Sequence, residues 1–445
     1  MTDKSKITPT DWQAAYRTKL IGVDEAAALV ESNDTIWSCG LSSQPIAFLQ
    51  ALARRKSELC NVEVYGGIVL QPFDILTGEY RGHINYCSFF NGPIEKSLYG
   101  QGNIKPMSAH LSEIDDATRY SIQPNVMAVH VSAPDADGYM SFGPCGGVGN
   151  WGASEVAEKI IVTVNSKLPH VPGDFNMIHV TKVSHIIEDD SDIPLLPSAE
   201  ASATDRAVAA QIVPYIDDGD TIQIGIGGIT NALAYSLKNK KDLGVHTEML
   251  TDSIVYLSQQ GVVTGARKNI NPGKINFSFA AGGEMLMAFC DNNEQLEAEP
   301  MHLAVNSNLV AKNNNFISIN TCLLVDLTGQ VAAEGVGYQQ ISATGGQLDL
   351  VRAARLSKGG KSFIALASTR GQGADAVSNI CLGLPIGTPV TTPRSDVEYI
   401  ATEYGVVRLR HLAIEDRAKA MISIAHPDFR EQLTSEAIAA GVIRA

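Results

Sequence analysis

Glu248 stands in the run Gly244-Val245-His246-Thr247-Glu248-Met249-Leu250-Thr251-Asp252, where it interrupts an otherwise apolar stretch. The run reads as a buried strand. A charged side chain at the carboxyl end of a parallel strand belongs to a crevice more often than to a core. A lone glutamate, with no Asp or Glu partner at a useful spacing, suits covalent attack better than two-carboxylate hydrolysis. A strand-end glutamate in solvent, or one paired with Lys or Arg, is the plain alternative. By period-two alternation His246 shares the face of Glu248. It can orient the carboxylate or serve as a hydrogen-bonded structural histidine.

Two glycine turns offer groups that such a carboxylate would need. Thr221 to Leu233 reads as a strand running into Gly225, Gly227 and Gly228, with a helix after them. A turn of this kind brings main-chain N–H groups and a helix start close to an anionic or polar ligand. It departs from the dinucleotide fingerprint at Thr230, where a third glycine is required. A tight packing turn is the other reading. Gly345 and Gly346 precede a helix beginning near Asp349, and they can present N–H groups to an oxyanion. Asn306 and Asn308 are candidate side-chain donors, or turn residues.

The elements that must hold these residues occur twice. A shift of 186 carries Asp34-Thr35-Ile36 onto Asp220-Thr221-Ile222, Ile68-Val69 onto Ile254-Val255, and Val62 onto Glu248. A shift of 191 carries Ile84-Asn85-Tyr86 onto Ile275-Asn276-Phe277, Gly92 onto Gly283, and Asp135 and Gly138 onto Asp326 and Gly329. A carboxylate at 248 opposite valine at 62 is not required by the fold, which makes it a candidate for chemistry. In each half, short apolar runs alternate with helical ones, as in a mostly parallel sheet flanked by helices. The predicted elements include strands at 34–38, 62–69, 159–164 and 362–366 and helices at 45–54 and 203–213. The helix at 45–54 turns Phe48, Leu49 and Leu52 inward. Thr8-Pro9-Thr10-Asp11 reads as a helix start. Asp135 to Gly138, and Leu327 to Gly329, read as turns of an antiparallel hairpin added to each half. The tail after Glu403 reads as helical, interrupted by Pro427. The acidic, proline-bearing stretch 188–197 suits a linker. Two α/β domains follow, 1–200 and 201–445, as a tandem duplication. The cleft between two such copies is the default active site.

The 445 residues exceed one ordinary core, and two similar halves suit that length. The net charge of −14 argues against nucleic acid as the main partner. The seven cysteines have no CxxC or zinc-finger spacing, so buried free thiols are expected and no metal site is. The amino terminus is polar, and no run approaches the roughly 18 apolar residues of a membrane span. A cytoplasmic protein without a membrane partner is expected, and enzymes of this size often self-associate as homo-oligomers.

Gly225-Ile226-Gly227-Gly228, His246-Thr247-Glu248-Met249 and Gly345-Gly346-Gln347-Leu348-Asp349 occur in the order and approximate spacing of family I coenzyme A transferases. The chain most resembles their acetyl-CoA hydrolase/transferase branch, over nearly its whole length. The resemblance implies a CoA-transferase-like fold, and coenzyme A as a substrate with no further cofactor. It implies Glu248 as the nucleophile that passes through an acyl-glutamyl anhydride and a glutamyl-CoA thioester. Gly345 and Gly346 would be oxyanion donors. Gly225, Gly227 and Gly228 would lie along the CoA or acyl portion, and Gln347 would contact substrate. Many relatives carry a Gly-Glu-Pro-like turn where this chain has Ser42-Ser43-Gln44-Pro45, so Gln44 bears on which acid is accepted. The implied reaction moves CoA between a short-chain acyl-CoA and a small carboxylate of the 4-hydroxybutyrate or butyrate class. Hydrolysis of the CoA ester is one alternative. A dicarboxylate acceptor such as itaconate or succinate, drawing on Arg81, Arg267 or Lys268, is another, with surface charges the plainer reading of those three residues. A non-catalytic regulatory subunit fits Glu248 less well; a nicotinamide oxidoreductase is suggested only by the glycine turn, with Glu248 as the acid that would bind the ribose.

Overall fold

The computed structural model describes residues 11–196, 198–371 and 373–444. Of the anticipated helix start, Thr8 to Thr10 lie outside the described residues. Asp11 caps the helix Trp12–Lys19 by accepting the Ala14 N–H at 3.0 Å. Two compact units emerge, one of residues 1–197 with 276–304, the other of 198–275 with 305–445. The units therefore depart from two contiguous halves at 276–304.

In the first unit seven parallel strands lie in the order Ile104–Pro106, Ile84–Ser88, Val62–Gly67, Thr35–Gly40, Val126–Val131, Lys159–Val164, His185–Glu188. The helix Ile46–Arg54 buries Phe48, Leu49 and Leu52 completely against Ile36, Val62, Val64 and Ile84. Each such side chain contributes roughly 1.5–3 kcal/mol on burial.

The second unit repeats the scheme. Strands Gly244–His246, Thr221–Ile224, Phe316–Thr321, Lys361–Ala365 and Tyr399–Thr402 are neighbours in that order and parallel. Gly405–Arg408 closes this edge antiparallel to Tyr399–Thr402. The tail is therefore not helical throughout, because a short turn at 403–404 folds it back as a strand first. Pro427 begins the helix Pro427–Ala439 rather than interrupting one, since a first-turn position needs no N–H donor. Strand order reverses at Thr221–Ile224, and its carboxyl edge is where α/β sheets bind ligands.

The duplication is visible as hydrogen bonding. Asp34 accepts the Glu31 N–H at 2.9 Å, and Asp220 accepts the Asp217 N–H at 2.8 Å. Asp135 accepts the Asp137 and Tyr139 N–H groups at 2.9 and 2.8 Å; Asp326 accepts those of Thr328 and Gln330, both at 2.9 Å. Gly138 and Gly329 close these turns at φ 87° and 93°. The second turn links the antiparallel strands Leu324–Asp326 and Val331–Ala332. After the first, Tyr139–Ser141 pairs antiparallel with Met177–His179.

Two equivalences fail. Glu63 donates its N–H to Asp34 O, and Gly244 donates to Asp220 O. Thr35 faces Glu63 as Thr221 faces Gly244. The second strand is thus offset by 181, and Glu248 corresponds to Gly67, not Val62. Ile254 and Val255 lie in the helix Asp252–Gln259, whereas Ile68 and Val69 follow a strand in irregular backbone.

Candidate active site

The ladder of Gly244–His246 stops before Glu248. Thr247 ends it by turning its hydroxyl onto Met249 O at 3.1 Å. Glu248 therefore sits on a bend just beyond the carboxyl end of the strand, not within a continuous strand over 244–252. Its residue surface remains partly open, yet its carboxylate is largely removed from water. Burial pushes the Glu248 carboxyl up to about 7. The Gly346 N–H acts against that rise and the nearby negative charge of Asp349 adds to it.

Gly346 donates its N–H to Glu248 Oε2 at 2.8 Å. It is also the N-cap of the helix Gln347–Leu356, so the carboxylate meets the positive end of a helix dipole. Gly345 precedes it at φ 63°, in the left-handed region that glycine enters without penalty. A Cβ at Gly346 would collide with Glu248 Oε2. Glycine at 346 is thus a condition of the contact.

Of the residues singled out from sequence, the structure joins Glu248 to Gly346 and sets others to different tasks. Gln347 is buried; its Nε2 donates to Thr321 O at 2.9 Å and its Oε1 accepts from Thr392 Oγ1 at 3.0 Å. It anchors the helix start to the carboxyl end of Phe316–Thr321. Asn306 is exposed and caps Ser307–Val310, accepting the Asn308 and Leu309 N–H groups at 3.1 Å each. Gly225 donates to Ile319 O at 3.1 Å; Gly227, at φ 119°, caps Gly228–Ser236; and side-chain bulk at Gly228 would strike the Asp205 carboxylate. Gln44 belongs to the first unit, is buried, and donates to Tyr86 Oη at 3.1 Å. His246 is fully buried, with Nδ1 3.4 Å from Asn313 Nδ2.

The basic residues weighed for a dicarboxylate donate to oxygens of the protein itself. Lys268 is buried, not a surface charge, and donates to Val245 O and Lys274 O, both at 2.8 Å. Arg81 donates to Gln101 O and Gly102 O, and Arg267 to Asp218 O and the Asp242 carboxylate. Four cysteines are buried as free thiols, but Cys60 is exposed. The Thr344 hydroxyl donates to Glu334 Oε2 at 2.7 Å, a contact between loop residues ten apart for which the sequence carries no spacing signal.

Fold and site together define a class: an α/β protein of two parallel-sheet units, with an acid held under a glycine amide at a sheet's carboxyl edge. Residues 4–197 match the acetyl-CoA hydrolase/transferase N-terminal domain and residues 282–437 the C-terminal domain of the same name. The chain is 34% identical to the 4-hydroxybutyrate coenzyme A transferase of Clostridium kluyveri, covering 96% of this chain and 99% of that protein. It is 37% identical to the butyryl-CoA:acetate CoA-transferase of Anaerostipes caccae, covering 96% and 98%. The crystal structure of RipA from Yersinia pestis superposes with a TM-score of 0.91 at 32% identity, over 98% of this chain and all of that one. The chain belongs to the acetyl-CoA hydrolase/transferase family. Among the described residues, no helix is long and apolar enough to cross a membrane.

Proposed function

We propose that this protein is an acyl-CoA:carboxylate CoA-transferase that exchanges CoA between a short-chain acyl-CoA, such as acetyl-CoA, and a small acid of the 4-hydroxybutyrate or butyrate class. CoA is a substrate, and the chemistry calls for no further cofactor. One observation carries the reading: Glu248 is a desolvated carboxylate whose Oε2 accepts the Gly346 N–H at 2.8 Å.

The Glu248 carboxylate attacks the thioester carbonyl, giving an acyl-glutamyl anhydride and CoA thiolate. The thiolate attacks the glutamyl carbonyl, forms the glutamyl-CoA thioester, and releases the donor acid. The acceptor carboxylate then attacks the glutamyl thioester and expels the thiolate. That thiolate attacks the acyl carbonyl of the new anhydride, which yields the product CoA ester and restores Glu248. Burial serves these steps directly. Desolvation raises the free energy of the carboxylate anion, whereas the anhydride and thioester at Glu248 carry no charge there. When thiolate attacks the glutamyl carbonyl, negative charge develops on the Glu248 oxygen itself. The Gly346 amide is aimed at that oxygen before the reaction begins.

The test is exchange between acetyl-CoA and butyrate, followed by mass analysis of the CoA esters, in the native protein and in Glu248→Ala. Butyryl-CoA formed at the expense of acetyl-CoA, and lost in the variant, is the expected result. Free thiol accumulating without an acceptor acid would identify a hydrolase instead.

A further inference from the structure

We propose that Glu334, acting through Thr344, is a positioning residue that fixes the Gly346 amide against Glu248; this rests on Glu248 being the reacting carboxylate. Glu334 is buried, 8% exposed, just after the strand Val331–Ala332. Its Oε2 accepts the Thr344 hydroxyl at 2.7 Å. Its main-chain oxygen accepts the Ile341 and Ser342 N–H groups at 2.8 and 3.0 Å. The excursion that carries the paired segments Gly335–Val336 and Gln339–Gln340 is thus tied at its neck by one residue. Two residues beyond Thr344 lies the donor, Gly346. On its other side Gln347 is held at both ends by Thr321 and Thr392. The donor amide is bracketed between these two anchors.

The bracket answers a physical problem. Two successive glycines have the greatest main-chain freedom of any pair, and a freely turning amide is a poor oxyanion donor. Main-chain bonds alone would close the neck at Ile341 and Ser342. The Thr344 bond carries the constraint two residues nearer to the glycines. A carboxylate acceptor makes that bond stronger than a neutral one would. Keeping an acid at a buried position is costly unless it is used in this way.

The test is steady-state exchange of acetyl-CoA with butyrate by Thr344→Val, Thr344→Ser and Glu334→Met, with thermal unfolding of each variant measured in parallel. Thr344→Val removes the hydroxyl at nearly constant volume. The expected result is a kcat about tenfold lower with KM for acetyl-CoA unchanged, as for a misplaced catalytic group. Thr344→Ser, which keeps the donor, restores kcat to within about twofold. Native kcat in folded Thr344→Val, an equal loss in the Ser variant, or a change confined to KM overturns the proposal. If Thr344→Val does not fold, Glu334→Met, which removes the acceptor at similar side-chain length, decides: lowered kcat at constant KM supports the bracket, and native kcat overturns it. Glu248→Ala is measured alongside. Exchange retained there sinks the carboxylate reading itself, whereas an inactive Glu248→Ala beside a native-like Thr344→Val sinks only the bracket.

Discussion

The carboxyl ends of the two equivalent strands, Val62–Gly67 and Gly244–His246, diverge within one shared frame. In the first unit pairing runs on past a register shift to Gly40 opposite Gly67. Packing there is tight: a Cβ at Gly67 would lie 2.8 Å from the Phe89 ring and 3.0 Å from the Phe90 nitrogen, and one at Gly40 would strike Gly67 O. In the second unit the pairing recorded ends at Ile222 opposite Val245, and the chain bends. The side chain in the place of Gly67 is Glu248, turned onto a helix start. One copy uses the strand end to pack and the other opens it to hold a charge. Duplication kept the frame, set by Asp34 and Asp220, and freed the end.

The comparison can be broken most severely at Glu248. We expect Glu248→Ala to lose on the order of 10³-fold or more in exchange rate, as removal of a nucleophile does, while remaining folded. Steady-state rates with circular dichroism check both parts. Substitution of the two glycines separates the roles of the strand ends. Gly346→Ala pushes the carboxylate aside and should lower kcat about 100-fold with modest loss of stability. Gly67→Ala should do the reverse, costing about 1–3 kcal/mol in denaturant unfolding and leaving kcat of the folded fraction near native.

The pH dependence sharpens the contrast further. Attack requires the ionised carboxylate, so kcat/KM should rise with pH through an inflection near the raised value of about 7. The same shift acts on stability. A carboxyl raised on folding binds its proton more tightly in the native state, so its favourable contribution is present at low pH. That contribution is lost as pH rises from the ordinary carboxyl range through about 7. Glu248→Gln should therefore gain in Tm over the native protein as pH goes from 5 to 8. A difference in Tm that stays flat with pH would contradict the desolvated site. The smallest effects belong to the paired turns. Asp135→Asn and Asp326→Asn keep an acceptor and should cost little, whereas either Ala variant should cost about 1–2 kcal/mol in denaturant unfolding.

Much of this was legible in the sequence. An acid inside an apolar run marked Glu248, and apolar spacing marked the helix that buries Phe48, Leu49 and Leu52. The turn residues Asp135 and Asp326 fixed the repeat where side chains bond to the local main chain. The alignment failed where loop length changed. Twenty-eight residues separate Ile36 from its partner-strand residue Val64, but twenty-three separate Ile222 from Val245. A constant shift passes over such a deletion, and this one paired Glu248 with Val62. Asn306 reads equally as a donor or a turn residue and Gln347 as a substrate contact; the structure adds that Asn306 caps a helix through the Asn308 N–H and that Gln347 bonds Thr321 and Thr392, contacts that no spacing announces. The Glu334–Thr344 bond left no spacing signal, because it closes a loop rather than a helix turn.

The most direct test is chemical capture at position 248. The protein is incubated with acetyl-CoA without acceptor acid, treated with borohydride, and digested for peptide mass spectrometry. Reduction confined to the Glu248 side chain, dependent on acetyl-CoA, is the predicted result. An unmodified Glu248 in protein that still exchanges CoA, or reduction at another carboxylate, would contradict the account.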